Sequence, residues 1–334
     1  MLLQMTSSPQ SPTARTGRAW LTIVLLALGL ALLVWLVQKL DLRWDDVRTG
    51  FGKIGWWFAA ILGLTLARFA LRSLAWMTLT GRPIPLAAAV AATISGDALG
   101  NITPLGLVAS EPAKALYLRH HAVPAATFAS LTAENFFYSV SVAIYVMVAS
   151  GALLLSFDHL NPTIHLAGVV ALSSMAAVLV GAAWLAWQKP TLVSATLARL
   201  PIRSLQTFVE RIRNFEQQTY GAAGHQGSRL AVVTGCEAAF HLLSLFECWL
   251  TFWLLTGVTT LTPALIYDGF NRVVNIVAKP IPGRIGVEEG GTAALALAIG
   301  YSAADGFMLA IVRKLRMLVF AVIGLGLWVR DSRR

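Results

Sequence analysis

The chain of 334 residues is 57% hydrophobic and 13% charged, with a mean hydropathy of +0.68, a balance that excludes a soluble globular domain and implies a membrane protein. Its net charge of +10 does not point to nucleic acid, because the basic residues lie between and at the ends of apolar runs, where they set orientation and meet anionic headgroups. Cys236 and Cys248 fall on one predicted helix about 18 Å apart at 1.5 Å rise per residue, too far for a disulfide, and are expected to be inert core thiols.

Residues 1–19, rich in Ser, Thr, Pro and Arg and without periodicity, are expected to form a disordered cytoplasmic tail. Residues 20–334 are expected to form a single membrane domain. Within it, Trp20–Gln38 is long enough to span, and no small-residue cleavage site follows, so it is expected to persist as a first helix. Further full-length candidates are Ile54–Leu79, Pro124–Leu155, Ile164–Trp187, Leu230–Leu255 and Asp305–Val329, which makes six spans. Lys39–Lys53, between the first two, is expected to be an external loop although it holds Lys39, Arg43, Arg48 and Lys53. Residues 190–228 carry leucines and phenylalanines among basic residues and are expected to include a helix lying on the cytoplasmic leaflet.

Two stretches, Ile84–Leu118 and Thr262–Gly300, are too long for loops and too broken for single spans. The first contains Asn101-Ile-Thr-Pro104-Leu-Gly106 and closes on Glu111-Pro112-Ala-Lys114. The second contains Asn275 and Pro280-Ile-Pro282-Gly283-Arg284-Ile-Gly286-Val-Glu288-Glu289. Each divides at its Pro/Gly elbow into arms of roughly 15 to 20 residues, which suit a re-entrant helical hairpin better than a crossing. The expected architecture is therefore all-α, a polytopic bundle of six full spans and two re-entrant hairpins.

Orientation follows from the loops. The 188–229 segment is strongly basic and the 156–163 segment carries no Lys or Arg, which places the first inside, the second outside and both termini in the cytoplasm. Span, hairpin and span over 54–155 then run opposite to the same order over 230–329, so the two form inverted repeats. Leu-Thr80-Gly81 and Leu-Thr256-Gly257 close the first span of each, Pro85 and Pro263 open the hairpins, and Glu134 aligns with Arg313. Interrupted segments at matching places in two halves mark the binding site of a carrier.

If both elbows approach the midplane, the helix N-termini after Pro104/Gly106 and Pro282/Gly283 offer N–H groups and positive dipole ends suited to a phosphate. Glu111, Glu288 and Glu289 follow those turns, and a carboxylate there must pair, titrate or bind a cation. Two readings stand: a proton- or cation-coupled transport step, or helix caps paired with Lys114 and Arg284. Arg72, Arg272 and Arg313 lie within apolar stretches and are candidates for a lipid path. Arg68 and Arg72 are equally candidates for salt bridges to Glu237 and Glu247.

The Asn101…Pro104-x-Gly106…Glu111-Pro-Ala-Lys114 and Pro282-Gly283-Arg284-Ile-Gly286-Val-Glu288-Glu289-Gly290 segments resemble motifs of the transmembrane region of lysylphosphatidylglycerol synthases and of stand-alone flippase-like proteins. The resemblance covers about 300 residues. Lys114 stands where that family has Arg, Arg284 where Gly is common, and Ala133-Glu134-Asn135 where Glu-Arg is expected. It implies lipid flipping across a bacterial inner membrane, with an anionic phospholipid, a polyprenyl-phosphate conjugate or a hopanoid as the partner. No soluble acyltransferase domain accompanies the spans, no nucleophile elbow, phosphate loop or metal-ligand spacing appears, and neither enzyme activity nor a cofactor is expected. The alternative is a membrane accessory subunit that docks a lipid-modifying enzyme.

Overall fold

The computed structural model describes residues 44–81, 83–102, 107–157, 160–188, 227–278 and 281–333, with isolated positions between 27 and 39. The expected tail, the first span apart from those positions, the 190–226 connector and the Thr103–Gly106 elbow lie outside the described residues. Those described form ten α-helices, one short 3-10 turn and no strand. In chain order they are α1 (Trp44–Ile54), α2 (Trp57–Thr80), α3 (Leu86–Ile102), α4 (Leu107–Tyr117), α5 (Pro124–Ser156), α6 (Pro162–Gln188), α7 (Gly227–Thr256), α8 (Leu261–Val277), the turn Pro282–Arg284, α9 (Val287–Ala298) and α10 (Ala303–Ser332). Four of them, α2, α5, α6 and α7, are long and apolar enough to cross a membrane. Helix α10 has 30 residues, about 45 Å, but Arg313, Lys314 and Arg316 interrupt its apolar run.

Within the Lys39–Lys53 segment, residues 44–53 are helical and belong to α1. Asp45 and Asp46 open α1 and Lys53 closes it, in the order a helix dipole favours. Val47 and Ile54 turn into the main hydrophobic cluster while the charged residues face outward. The Lys53 ammonium donates to the Leu255 carbonyl at 2.6 Å, which satisfies an orphan acceptor at the C-terminal end of α7.

Each long broken stretch is a pair of antiparallel helices. In the first, Ala89 and Ala92 of α3 share a cluster with Ala115 and Leu118 at the far end of the α4 arm, and Gly96 faces Ser110 and Lys114. In the second, Asn271 of α8 meets Glu288 of α9, and Phe270 meets Gly291.

The helix packing repeats across the two halves. With α2, α3, α4 and α5 set against α7, α8, α9 and α10, every packing in one half has its counterpart. Thus α2 packs on α3 as α7 does on α8, α4 on α5 as α9 on α10, and α2 on α5 as α7 on α10. The halves interlock through exchanged partners, α3 on α10 and α8 on α5, with α2 against α7 at the centre. The shared Leu-Thr-Gly endings behave alike. Gly81 and Gly257 both take the left-handed conformation, at φ 66° and 78°, and Thr80 and Thr256 each bond the carbonyl four residues back. Glycine suits that terminus because it lacks the Cβ that a positive φ would crowd.

Candidate functional site

Where the two halves meet lies a cavity of about 620 Å³ lined by residues of α2 to α10 and the Pro282–Arg284 turn, α4, α6 and α9 contributing only Ser110, Met175 and Val178, and Glu288. Among the described residues, seven basic side chains line it: Arg68, Arg72, Arg272, Arg284, Arg313, Lys314 and Arg316. Four carboxylates share the wall: Asp97, Glu247, Asp268 and Glu288.

The cations outnumber the carboxylates because two of those acids each serve two arginines. Glu247 takes Arg68 from α2 at 3.0 Å and Arg316 from α10 on its other oxygen. Asp268 takes Arg272, one turn along α8, at 3.0 Å and Arg313 of α10 at 3.7 Å, with the Ser244 hydroxyl at 3.0 Å. Each cluster carries one positive charge in excess. Among the described residues, Arg68 Nε, Arg272 Nε and Arg313 Nη1 are buried without a hydrogen-bond partner, an arrangement that costs free energy unless water or an anion supplies acceptors.

Aromatic rings hold these guanidinium planes. Arg68 lies 4.5 Å over the Phe240 ring, Arg72 4.4 Å over Tyr138 and Arg272 4.4 Å over Tyr145. A stacked guanidinium keeps its edge for hydrogen bonds, the geometry that suits bidentate recognition of phosphate or carboxylate.

The described part of the second elbow turns through left-handed backbone. Gly283 has φ 62° and Arg284, against the usual preference of a residue with a Cβ, has φ 54°. Glu288 is buried and ties three helices, accepting from Asn271 of α8 at 2.8 Å and from Lys314 of α10 at 3.1 Å. Arg284 lies 3.9 Å from the same carboxylate. Lys314 also reaches Glu289 at 3.3 Å and donates to the Gly283 carbonyl. At the N-terminus of α9 the protein's own acids compete with a ligand phosphate for the N–H groups and the positive dipole end. Glu288 and Glu289 occupy its first turn, and the Glu289 carboxylate accepts from Gly286 N–H at 2.8 Å. Two acids thus stand beside the place expected for the ligand anion, and the arginine clusters offer a second set of anion-binding groups.

Of the residues singled out from the sequence, Arg72, Asn101, Arg272, Asn275, Gly283, Arg284, Glu288 and Arg313 line the cavity. Glu111 and Lys114 lie behind the wall, where Lys114 bridges Asp97 at 3.1 Å and Glu111 at 3.0 Å. Gly286 and Glu289 cap α9, Pro282 opens the 3-10 turn, and Pro104 and Gly106 lie outside the described residues. The expected bridge from Arg68 to Glu247 forms. Arg72 does not reach Glu237; it bonds Glu134 of α5 at 2.9 Å and Asn135 at 2.8 Å, because α5 lies against that part of α2. Glu134 and Arg313, aligned between the repeats, therefore meet different partners.

Asp97, Asp268 and Asn271 went unnoticed in the sequence. A signal for Asp268 was present, a lone acid four residues before Arg272 in an otherwise uncharged helix. Asp97 had no local partner to betray it, since its cation comes from α4.

The family model for the lysylphosphatidylglycerol synthase TM region matches residues 20–324, nearly the whole chain. No curated protein matches the chain, and no solved structure does.

Proposed function

As the chain belongs to the family of the lysylphosphatidylglycerol synthase TM region, a multi-pass membrane protein by that membership and by its apolar helices, we propose that it carries a lipid with an anionic headgroup across a bacterial inner membrane. The headgroup enters the cavity between the two halves, and the lipid undergoes no covalent change there. The observation that carries this reading is the pairing of two arginines with one carboxylate, twice, around a single cavity, with guanidinium N–H groups left unpartnered.

Helix α8 supports an amphiphilic substrate. Its Asp268, Asn271, Arg272 and Asn275 face the polar cavity. Ile266, Gly269, Phe270 and Val273, on its other side, line an apolar crevice of about 240 Å³ against α5, α6 and α9. One helix thus separates a place for a charged head from a place for a hydrocarbon tail. A phosphate-bearing lipid fits this charge better than a neutral hopanoid. The mirrored packing supports inverted repeats with the paired helices as re-entrant hairpins, the arrangement in which one site meets either face in turn. Within this reading the first span and α10 complete six spans, and both termini are cytoplasmic. An accessory subunit would have no use for an internal cavity of this charge.

The test is headgroup accessibility in proteoliposomes containing a fluorescent phosphatidylglycerol. Protein-dependent movement, reduced at least tenfold by Arg272→Gln together with Arg313→Gln in protein of matched oligomeric profile, supports the carrier. Movement equal to that in empty vesicles rejects it for this lipid class.

A further inference from the structure

The two arginine clusters lie one helical turn apart. On α7, Glu247 follows Ser244, the partner of Asp268, by three residues, and on α10 Arg316 follows Arg313 by three, a rise of about 4.5 Å along each axis. The clusters also share a wall. The centre of the Phe240 ring is 4.5 Å from the guanidinium carbon of Arg68, in one cluster, and 5.9 Å from that of Arg272, in the other. Arg313 donates to Cys248 Sγ at 3.1 Å, next to Glu247 in the chain.

Each cluster keeps one positive charge beyond its carboxylate, and each keeps an N–H group without an acceptor among the described residues. Arg68 Nε is the one at Glu247; Arg272 Nε and Arg313 Nη1 are those at Asp268. The other ion pairs around the cavity leave no such surplus. Arg72 is matched by Glu134, and Arg284 and Lys314 by Glu288 and Glu289. On α3 and α4 the balance is reversed, because Lys114 faces both Asp97 and Glu111. An anion is therefore drawn to two neighbouring places and repelled from the Asp97 side.

A single phosphate satisfies one cluster and leaves the other with a buried surplus charge, which is costly. We propose that the headgroup is a diphosphate, two phosphoryl groups joined through one oxygen, with one group at each cluster; the proposal names the substrate class of the headgroup site above and rests on that reading. Two groups so joined stand close enough to meet clusters one turn apart, and the planar fork of a guanidinium suits each of them. Helix α8 also fixes their order. It carries Asp268 and Arg272 on its cavity face and walls the apolar crevice with its other face. The tail-bearing phosphoryl group accordingly lies at Asp268, and the terminal one at Glu247.

The test is calorimetric titration of geranyl diphosphate and geranyl phosphate into the protein in phosphatidylcholine nanodiscs, without divalent cations. At about pH 8 the monophosphate already carries about two negative charges on its one phosphorus, so the comparison turns mainly on the second phosphoryl group. Wild type should bind the diphosphate about tenfold more tightly or better. Arg68→Gln and Arg316→Gln each leave Glu247 one cation, and each should weaken the diphosphate about tenfold more than the monophosphate. Arg313→Gln should weaken the two ligands alike, since both occupy the Asp268 cluster. Equal affinity of the wild type for the two ligands overturns the proposal without any variant having to fold. It is overturned equally if Arg68→Gln and Arg316→Gln leave the preference intact. Inorganic diphosphate bound as tightly as geranyl diphosphate overturns a lipid as its source. Dihexanoyl phosphatidylglycerol, titrated alongside, separates the two readings: its binding without a preference for the diphosphate leaves the headgroup site standing, whereas no binding of any of these lipids overturns both.

Discussion

Lys114 lies across Gly96 on the neighbouring helix, so that a Cβ at the glycine would stand 2.3 Å from the lysine Cγ and 2.9 Å from the Ser110 carbonyl oxygen. The lysine stem could move, but the carbonyl belongs to the α4 backbone and the two helices would have to part. Gly96→Ala should therefore destabilise the first hairpin by about 1 to 3 kcal/mol and loosen the bridges from Lys114 to Asp97 and Glu111. Thermal unfolding in detergent, followed by tryptophan fluorescence, checks this; an unchanged melting temperature would contradict the close approach.

Asp268 and Arg313 should respond unequally to neutralisation. Asp268→Asn leaves Arg272 and Arg313 buried with no carboxylate between them and should cost about 3 to 5 kcal/mol. Arg313→Gln leaves Asp268 still paired to Arg272 and bonded by Ser244, at a cost of about 1 to 2 kcal/mol. Its larger effect should be on dihexanoyl phosphatidylglycerol, bound about tenfold more weakly. Unfolding curves and titrations of the two variants separate these outcomes.

Arg284→Gly should relieve backbone strain and lose function. A side chain at φ 54° costs about 1 to 2 kcal/mol, and the carboxylate contact given up among the described residues is a long one of 3.9 Å to Glu288. The variant should melt at the wild-type temperature or higher while moving lipid more slowly. Glu288→Gln should show the reverse balance, because its carboxylate joins α8, α9 and α10, and should lose about 1 to 3 kcal/mol. A stable Glu288→Gln protein would show that those contacts are dispensable.

Gly324 and Gly269 occupy the two exchanged interfaces. A Cβ at Gly324 in α10 would stand 2.5 Å from the Ile94 carbonyl oxygen of α3, and one at Gly269 in α8 would stand 2.2 Å from the Ala149 Cβ of α5. Gly324→Val and Gly269→Val should each separate an interlocked pair and depress the melting temperature to a similar extent. A loss confined to one of them would argue against equivalent roles for the two interfaces.

Long apolar runs made the helices legible. The ends of α2, α5, α6 and α7 fall within a few residues of the expected ones, since an uninterrupted hydrophobic segment admits little but a helix in a bilayer, and those of α10 do so despite the charges within it. The paired helices were legible too, because Pro280, Pro282 and Gly283 leave a helix no way to continue. Helix α1 is harder to read because its charges mask its periodicity: Val47, Gly50 and Ile54 recur at three- and four-residue intervals and face inward, while Asp45, Asp46 and Arg48 do not. Much of the candidate site could be gathered from motif and charge, yet the partner of each charge could not. Arg72 and Glu237 looked as suited to one another as Arg68 and Glu247. Which carboxylate an arginine meets depends on how helices distant in sequence are rotated against each other, and helical spacing within one segment does not determine that.

Helix α10 places Arg313, Lys314 and Arg316 within four residues, and they hold acids on three other helices: Asp268 of α8, Glu288 and Glu289 of α9, and Glu247 of α7. Successive residues of a helix point about 100° apart, so the three act like spokes of one wheel. Turning or tilting that axle loads all three spokes at once, and none of the three neighbours can shift far while the others stay fixed. If the chain is the carrier proposed above, few intermediate postures are open to it, and movement between its end states would proceed by concerted exchange of ion pairs around a single shaft.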